Sequence, residues 1–329
     1  MTFGRLAASL ADVRVIGEHD VRRLLPVEAC IEVMADALAE LARAEVHNPL
    51  RFVVRAPGEP SLLGLMPAHR RGDQSVWSLK TVAVFPSNAT RGLDLHQGFV
   101  ALFDGKTGET RAILHAGAIT AVRTAAVSAV ATRLLARDDA RTLGILGTGR
   151  QGRAHVQAMR RVRNFDRIIV WGRTPGRLAD LDYVEEVATA EEVVRDADVL
   201  VTATSSPEPV VARSWLKPGV HVNAIGSSMP TARELDSGTM AAAALFVDTR
   251  ESVLNESGDF LLAQREGAIG PETIRAELGE LLLGSAPGRG SADEITVFKS
   301  LGLAVEDLAA AEYVLARAER ESVGTVVPF

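Results

Sequence analysis

The sequence predicts an α/β protein in which a doubly wound parallel sheet is joined to a smaller α+β unit. Three observations predict it. Leu143–Gly152 reads LGILGTGRQG, an apolar run that enters a glycine-spaced turn. After it, from Arg167 to Val247, short apolar runs alternate with helical segments, the pattern of a parallel sheet flanked by helices. Before it, from Arg51 to Phe103, the apolar period falls toward two, which suits a mostly antiparallel or mixed sheet.

In chain order, Pro26 opens a helix whose stripe is Ile31, Met34, Leu38 and Leu41, and Asn48-Pro49 ends it. The runs RFVVR, SLLGLMP, WSLKTVAVF and GFVALFD read as strands, and Asp104-Gly105 with Thr107-Gly108 turns the last of them into Thr110–Leu114. Ile119–Leu135 reads as a small-residue helix with Thr120 as its N-cap. The glycine loop follows, then a helix from Gln151 to Val162 and a strand from Arg167 to Trp171. A helix at Glu191–Asp196 leads to strands at Asp198–Thr204, Val220–Ile225 and Ala244–Val247, with a helix at Arg233–Ala241 before the last. Two further helices, from Glu266 to Gly284 and from Gly302 to Glu319, bracket the run Glu294–Ser300. At 329 residues two domains are expected, and the expected boundaries are 1–135 with 303–329 for one and 136–302 for the other.

Composition narrows the partners. The chain is 47% hydrophobic with a formal net charge of -6, and its basic residues are scattered, so neither nucleic acid nor an anionic membrane is expected to bind it. The single Cys30 lies among Ile31, Met34 and Leu38 and reads as a buried apolar residue of a cytoplasmic protein. The first residues, MTFGRLAASLADVRVIG, lack a signal-peptide pattern, and no window is expected to span a bilayer. Seven histidines show no metal-ligand spacing, so no metal is assigned.

The glycine loop with a strand before it and a helix after it is the first turn of a Rossmann dinucleotide site. Gly147 allows the turn, Gly149 lets the main chain approach the phosphates, and Gly152 lets the helix pack closely; Thr148, Arg150 and Gln151 complete the loop. An NAD site of this type carries a carboxylate at the end of the second strand. Here that strand ends in Trp171-Gly172-Arg173-Thr174, with Arg177 close behind. Two guanidinium groups and a hydroxyl suit the 2′-phosphate of NADP, so NADP(H) is expected over NAD(H); the alternative is a pair of solvated loop arginines.

Several segments together resemble the ornithine cyclodeaminase and mu-crystallin family: Pro49-Leu50-Arg51, LGLMPA from Leu63, Lys80 in SLKTV, ITAVRTAAVSAVAT from Ile119, AIGSSMPTARELD from Ala224 and TVFKSLGLAVEDLAAA from Thr296. The resemblance implies a homodimer joined through the α+β unit, with the active site in the cleft between domains. It implies a small imino or amino acid as substrate, its carboxylate held at Arg51, Lys80 and Arg123 with Leu301 beside it. Thr124, Thr204, Ala224, Ile225 and Ser300 match its nucleotide contacts, together with Arg123. Without the family, Arg51 and Lys80 read as a polar strand face and Arg123 as a salt-bridged helix residue.

One departure separates activities within the family. Its cyclodeaminases carry an aspartate where this chain has Ser228, and a hydroxyl is a poor general base near neutral pH. The resemblance therefore implies an NADPH-dependent reductase of a cyclic ketimine carboxylate, pyrroline-2-carboxylate or piperideine-2-carboxylate. Lys80 and His96 are the candidate proton donors, and Ser228 completes the catalytic set. Ornithine cyclodeaminase, an alanine-type dehydrogenase and a non-catalytic NADP-dependent binder are the rival readings. Asp94, Asp248 and Glu256 are placed near the cleft without roles.

Overall fold

The computed structural model describes residues 12–329, so the expectation for the N-terminal lead falls mostly outside the described residues. One mixed sheet contains β1 (Asp12–Ile16), β2 (Val46–His47), β3 (Phe52–Arg55), β4 (Leu62–Arg70), β5 (Val76–Val84), β6 (His96–Asp104) and β7 (Thr110–His115). A second contains β8 (Thr142–Leu146), β9 (Arg167–Trp171), β10 (Glu185–Glu186), β11 (Val199–Thr202), β12 (His221–Ala224), β13 (Ala244–Val247), β14 (Ile274–Glu277) and β15 (Thr296–Lys299). The C-terminal β16 (Thr325–Pro328) returns to pair with β1. The helices are α1 (Glu18–Leu24), α2 (Val27–Ala42), α3 (Ala116–Leu135), α4 (Arg150–Met159), α5 (Ala190–Asp196), α6 (Ser237–Ala242), α7 (Arg250–Glu256), α8 (Gly258–Arg265), α9 (Leu278–Leu282) and α10 (Ala304–Arg320).

The second sheet runs β10-β9-β8-β11-β12-β15-β13-β14 and every pairing in it is parallel. Its inner strands β11, β12, β13 and β15 are buried at every position, as parallel strands covered on both faces must be. The first sheet runs β16-β1-β7-β6-β5-β4-β2, with β3 also on β4; only β1 and β7 pair in parallel. Lys80 stands opposite Met66 and Val100, so it points with them to the helix-covered face. The other face leaves Leu63, Trp77 and Phe99 exposed, with Trp77 stacked on His69 at 4.1 Å between ring centroids.

Between the sheets lies α3. It packs against α2, α10 and β6 on one side and against α4, β12 and β15 on the other. Its alanines permit that approach from all sides, and one apolar core runs through it into both sheets.

The structure corrects several sequence expectations. Thr120 is not the cap of α3: the helix starts at Ala116, and His115 Nδ1 accepts from Ala118 N at 3.1 Å. At 20 residues α3 also has the length and apolarity of a membrane span, contrary to expectation, but it is a buried core helix. Asn48-Pro49 does not end α2, which stops at Ala42; instead Asn48 Oδ1 accepts from Val305 N at 2.9 Å in the first turn of α10. Glu266–Gly284 is not one helix. Gly270-Pro271 breaks it, and β14 and the short α9 follow because Ile274 and Ala276 are buried at strand spacing. Arg233–Leu235 is not helical: Leu235 forms an isolated bridge with Val211, and Asp236 caps α6, which starts at Ser237.

Candidate active site

The carboxyl ends of β8, β9, β11, β12 and β15 open on one crevice, and the strand order reverses between β8 and β11, where a doubly wound sheet leaves room for a ligand. Gly147 sits there at φ +107°, and any Cβ on it would collide with the Ala203 carbonyl after β11. A Cβ on Gly152 would collide with the Gly147 carbonyl, so α4 reaches the turn only with glycine at that place. Gly149 differs: its φ is -80° and a Cβ would meet no atom within 4 Å. Packing and backbone strain therefore leave that position free. Gly149 is the N-cap of α4, whose first N–H groups have no acceptor within the helix, and this arrangement fits a pyrophosphate.

The other loop side chains turn elsewhere. Thr148 is buried against Gly172 at the end of β9. Arg150 pairs with Asp94 and lies 3.8 Å from Glu18, and Gln151 Nε2 donates to Thr120 O at 3.4 Å, so the loop offers a ligand its main chain more than these side chains. Arg173 Nη2 donates to Ser205 Oγ at 3.1 Å across the mouth, and Thr174 and Arg177 lie exposed beyond it. The acids nearby are engaged: Asp180 with Arg153 at 2.6 Å and Glu186 with Gly176 N at 2.8 Å. Among the described residues no ion pair joins Arg173 or Arg177 to a carboxylate.

Sequence reasoning missed what holds the crevice floor. Glu234, fully buried, accepts from Thr204 N at 2.6 Å, Gly226 N at 2.7 Å and Thr202 Oγ1 at 2.6 Å, tying the ends of β11 and β12 together. Asp259 accepts from Glu234 N and Leu235 N at 2.7 and 2.9 Å and pairs with buried Lys299 at 3.0 Å. Lys299 in turn donates to Ala224 O at 3.2 Å, and Ser300 N donates to the same oxygen at 3.1 Å. Thr204, Ala224, Ile225 and Ser300 are thereby fixed at neighbouring strand ends; Ile225 N is held by Thr202 O at 2.9 Å. A lysine inside the apolar run TVFKS was the available signal, because a lone ammonium is costly to bury.

Facing this floor, residues far apart in sequence meet. Lys80 Nζ lies 3.1 and 3.2 Å from the two oxygens of Asp307. Arg123 donates to Asp307 Oδ1 at 3.1 Å and to Glu306 Oε2 at 2.7 Å, and its guanidinium lies under Gly302, where φ is +78° and a Cβ would press into it. Arg51 donates to Glu256 at 3.0 Å and to the carbonyls of Leu301 and Gly302 at 2.8 and 3.0 Å. Asp248 accepts from the N–H groups of Thr249, Leu301 and Gly302. Leu301 thus meets Arg51 through its main chain, and Thr124 is buried beside Arg123 on α3. Glu306 and Asp307 were missed, although two acids within LAVEDLAAA, an otherwise apolar helix start, marked them.

Burial dominates the electrostatics. It brings the Lys80 ammonium down to about 8 despite Asp307, so this group is still mostly charged at neutral pH. It also raises Asp248 and Glu256, and raises Glu306 to about 7 even though Arg123 opposes the rise. His96 shares the face of Lys80 but its backbone lies four residues further along β6, roughly 13 Å from that of Val100 by strand rise. Partial desolvation, then Lys80, hold its imidazole below the ordinary value. Ser228 lies exposed in the loop after β12. The structure therefore gathers Arg51, Lys80, Arg123 and Leu301, and leaves His96 and Ser228 outside their hydrogen-bonded cluster.

Residues 12–322 match the ornithine cyclodeaminase/mu-crystallin family, and the chain belongs to it. A Δ1-pyrroline-2-carboxylate reductase of Bacillus cereus is 36% identical over 325 residues, 96% of this chain and 99% of that protein. Among solved structures, Thermococcus litoralis Δ1-pyrroline-2-carboxylate reductase in complex with NADH and L-proline superposes with a TM-score of 0.92 at 35% identity, over 96% of this chain and 100% of that one. An archaeal alanine dehydrogenase dimer with bound NAD superposes at 0.91 with 30% identity, over 97% and 100% of the two chains.

Proposed function

We propose that this member of the family is an NAD(P)H-dependent reductase of a small cyclic ketimine carboxylate, with Δ1-pyrroline-2-carboxylate as first substrate and the six-membered piperideine-2-carboxylate as second. The observation that carries it is the gathering of Arg51, Lys80 and Arg123, from three distant parts of the chain, into one largely buried cluster. The relatives named above support the same chemistry.

The dinucleotide supplies the hydride that goes to the imine carbon, and a proton goes to the nitrogen. The chain's own residues bind and orient. Lys80 and Arg51 retain donors beyond those given to Asp307, Glu256 and the carbonyls, and these receive the substrate carboxylate, while Arg123 sets the field behind them. Lys80, an ammonium only slightly above neutral pH, is the better-placed proton donor; His96 is the more distant one. Ser228 in place of an aspartate favours reduction over ring closure with loss of ammonia.

Three finer assignments go with this reading. NADP(H) is preferred over NAD(H), because Arg173 and Arg177 have no carboxylate partner and no acid follows β9 to take a ribose diol. The enzyme is a homodimer joined through the mixed sheet, whose outer face exposes Trp77 at 45% and Phe99 at 40% with Leu63 beside them. Its units are 1–135 with 303–329 and 136–302, and a reducing cytoplasm suits the buried Cys30 thiol.

The test is spectrophotometric. Purified protein with NADPH and pyrroline-2-carboxylate is expected to consume the nicotinamide absorbance and yield proline. No consumption with either imine and either cofactor refutes the reading; NADH formation from an open-chain amino acid, with the imines inert, replaces it by a dehydrogenase.

A further inference from the structure

The substrate cluster has an imbalance that the reduction itself does not explain. Three cations, Arg51, Lys80 and Arg123, share a buried space with four carboxyl groups, Asp248, Glu256, Glu306 and Asp307. Three of those carboxyls are well supplied with donors. Asp307 receives Lys80 and Arg123 on both oxygens, Asp248 receives three backbone N–H groups, and Glu256 receives Arg51 while keeping some contact with solvent. Glu306 is different. Its Oε2 accepts from Arg123, but its Oε1 is buried without a hydrogen-bond partner, and the residue has no exposure at all.

Burial with no donor on that oxygen penalises the charged carboxylate and makes its protonation sensitive to charge brought close to it. The groups facing it divide: Asp307 on its own helix and Asp248 from the end of β13 repel a charge there, while Arg123 from α3 and, more weakly, the Leu303 backbone N–H at the start of its helix favour one. Cys30 of α2 faces it as a neutral thiol, and Lys80, Arg51 and Glu256 stand one partner further away. An anionic substrate would add a fifth carboxylate to this space.

We propose that entry of an anionic ring carboxylate into this cleft drives Glu306 fully to its neutral acid by proton uptake from solvent, and that the proton returns when the ligand leaves. Glu306 touches no substrate in this account. It is a positioning residue: as a neutral acid it leaves the Arg123 guanidinium less neutralised, so that the three cations can hold the incoming charge. Its raised value, about 7, puts the uptake within reach of ordinary pH. The proposal rests on the carboxylate reading of the site given above.

Calorimetry separates the two. Pyrrole-2-carboxylate, a planar ring carboxylate with no basic nitrogen, is titrated into full-length protein saturated with oxidised cofactor at pH 7, in two buffers of different ionisation enthalpy. The expected result is a buffer-dependent heat equal to a sizeable fraction of one proton taken up. In Glu306→Gln the uptake at pH 7 falls to the small remainder due to Lys80 and the affinity loses its pH dependence between pH 6 and 7, whereas the uptake belonging to Lys80 persists around pH 8. Binding with a buffer-independent heat in the parent overturns the proposal alone, as does unchanged uptake in the variant; the parent measurement stands even where the variant fails to fold. Absence of binding at every pH overturns the substrate reading and the proposal with it.

Discussion

The two walls of the cleft are built by different means. On the dinucleotide side the work falls to main chain: Gly147 and Gly152 admit close approaches that no side chain allows, and Gly149 leaves space above a helix N-terminus. On the proposed substrate side it falls to side-chain charge, brought from β5, α3, α10 and the segments after β2, β13 and β15 into one largely buried cluster. A wall made of backbone geometry should fail through shape, and a wall made of charge should fail through ionisation. That difference can be broken or sharpened by substitution.

The largest effect is expected from Arg123→Ala. It strands Glu306 and removes one of two partners from Asp307, both almost wholly buried, and breaking a buried pair in this way costs about 3–5 kcal/mol. Chemical denaturation should report a loss of that size, recovered in part at acid pH. The sign follows from Glu306: its folded value is raised above the unfolded one, so the folded state binds more protons between pH 4.5 and about 7 and loses stability as pH rises through that window. A pH-independent loss would mean that the cluster is held by shape, like the opposite wall.

On the main-chain side the corresponding change is Gly147→Ala. The positive φ alone costs on the order of 1–3 kcal/mol, and the new Cβ meets the Ala203 carbonyl. NAD(P)H fluorescence titration should show a large loss of affinity at every pH. A pH-dependent loss would break the comparison from the other side.

How much of this was legible follows the same division. The glycine loop was readable because a turn and the helix it feeds are contiguous, and Gly152 is required by the Gly147 carbonyl within the same loop. The parallel sheet was readable from short, mostly apolar runs that alternate with helical segments. The charge cluster was not: Lys80 and Asp307 are 227 residues apart, and local patterning carries no information about which acid meets which base. Arg51, Lys80 and Arg123 were named only through the family resemblance, and their partners Glu306 and Asp307 not at all. Thr120 was misread because a histidine one turn earlier accepts the bond that a threonine usually takes. Gly270-Pro271 was passed over because the apolar spacing after it suits helix and strand alike over so short a run.

A smaller effect sharpens the charge side. Lys80 loses its proton above about pH 8, and a neutral amine no longer attracts a carboxylate. Each further pH unit lowers the charged fraction roughly tenfold, so KM for the imine should climb above pH 8 while the dissociation constant for cofactor stays level. Steady-state kinetics against pH distinguishes this from a proton-donor role, in which kcat falls instead and KM holds.

The smallest expected effect lies at the edge of the main-chain wall, where charge re-enters. Arg173 reaches from the end of β9 to Ser205 beyond β11, across the mouth of the crevice. Among the described residues no carboxylate neutralises it, so a phosphate there would gain a charge-assisted bond worth about 1.5–3 kcal/mol before solvent screening reduces it. Arg173→Ala should weaken NADPH by roughly tenfold, about 1.4 kcal/mol, and leave NADH within a factor of two. The loss should shrink as salt is raised, because the site is exposed. Equal losses for the two cofactors would make Arg173 a loop-ordering residue acting through Ser205, and the dinucleotide wall would then be main chain throughout.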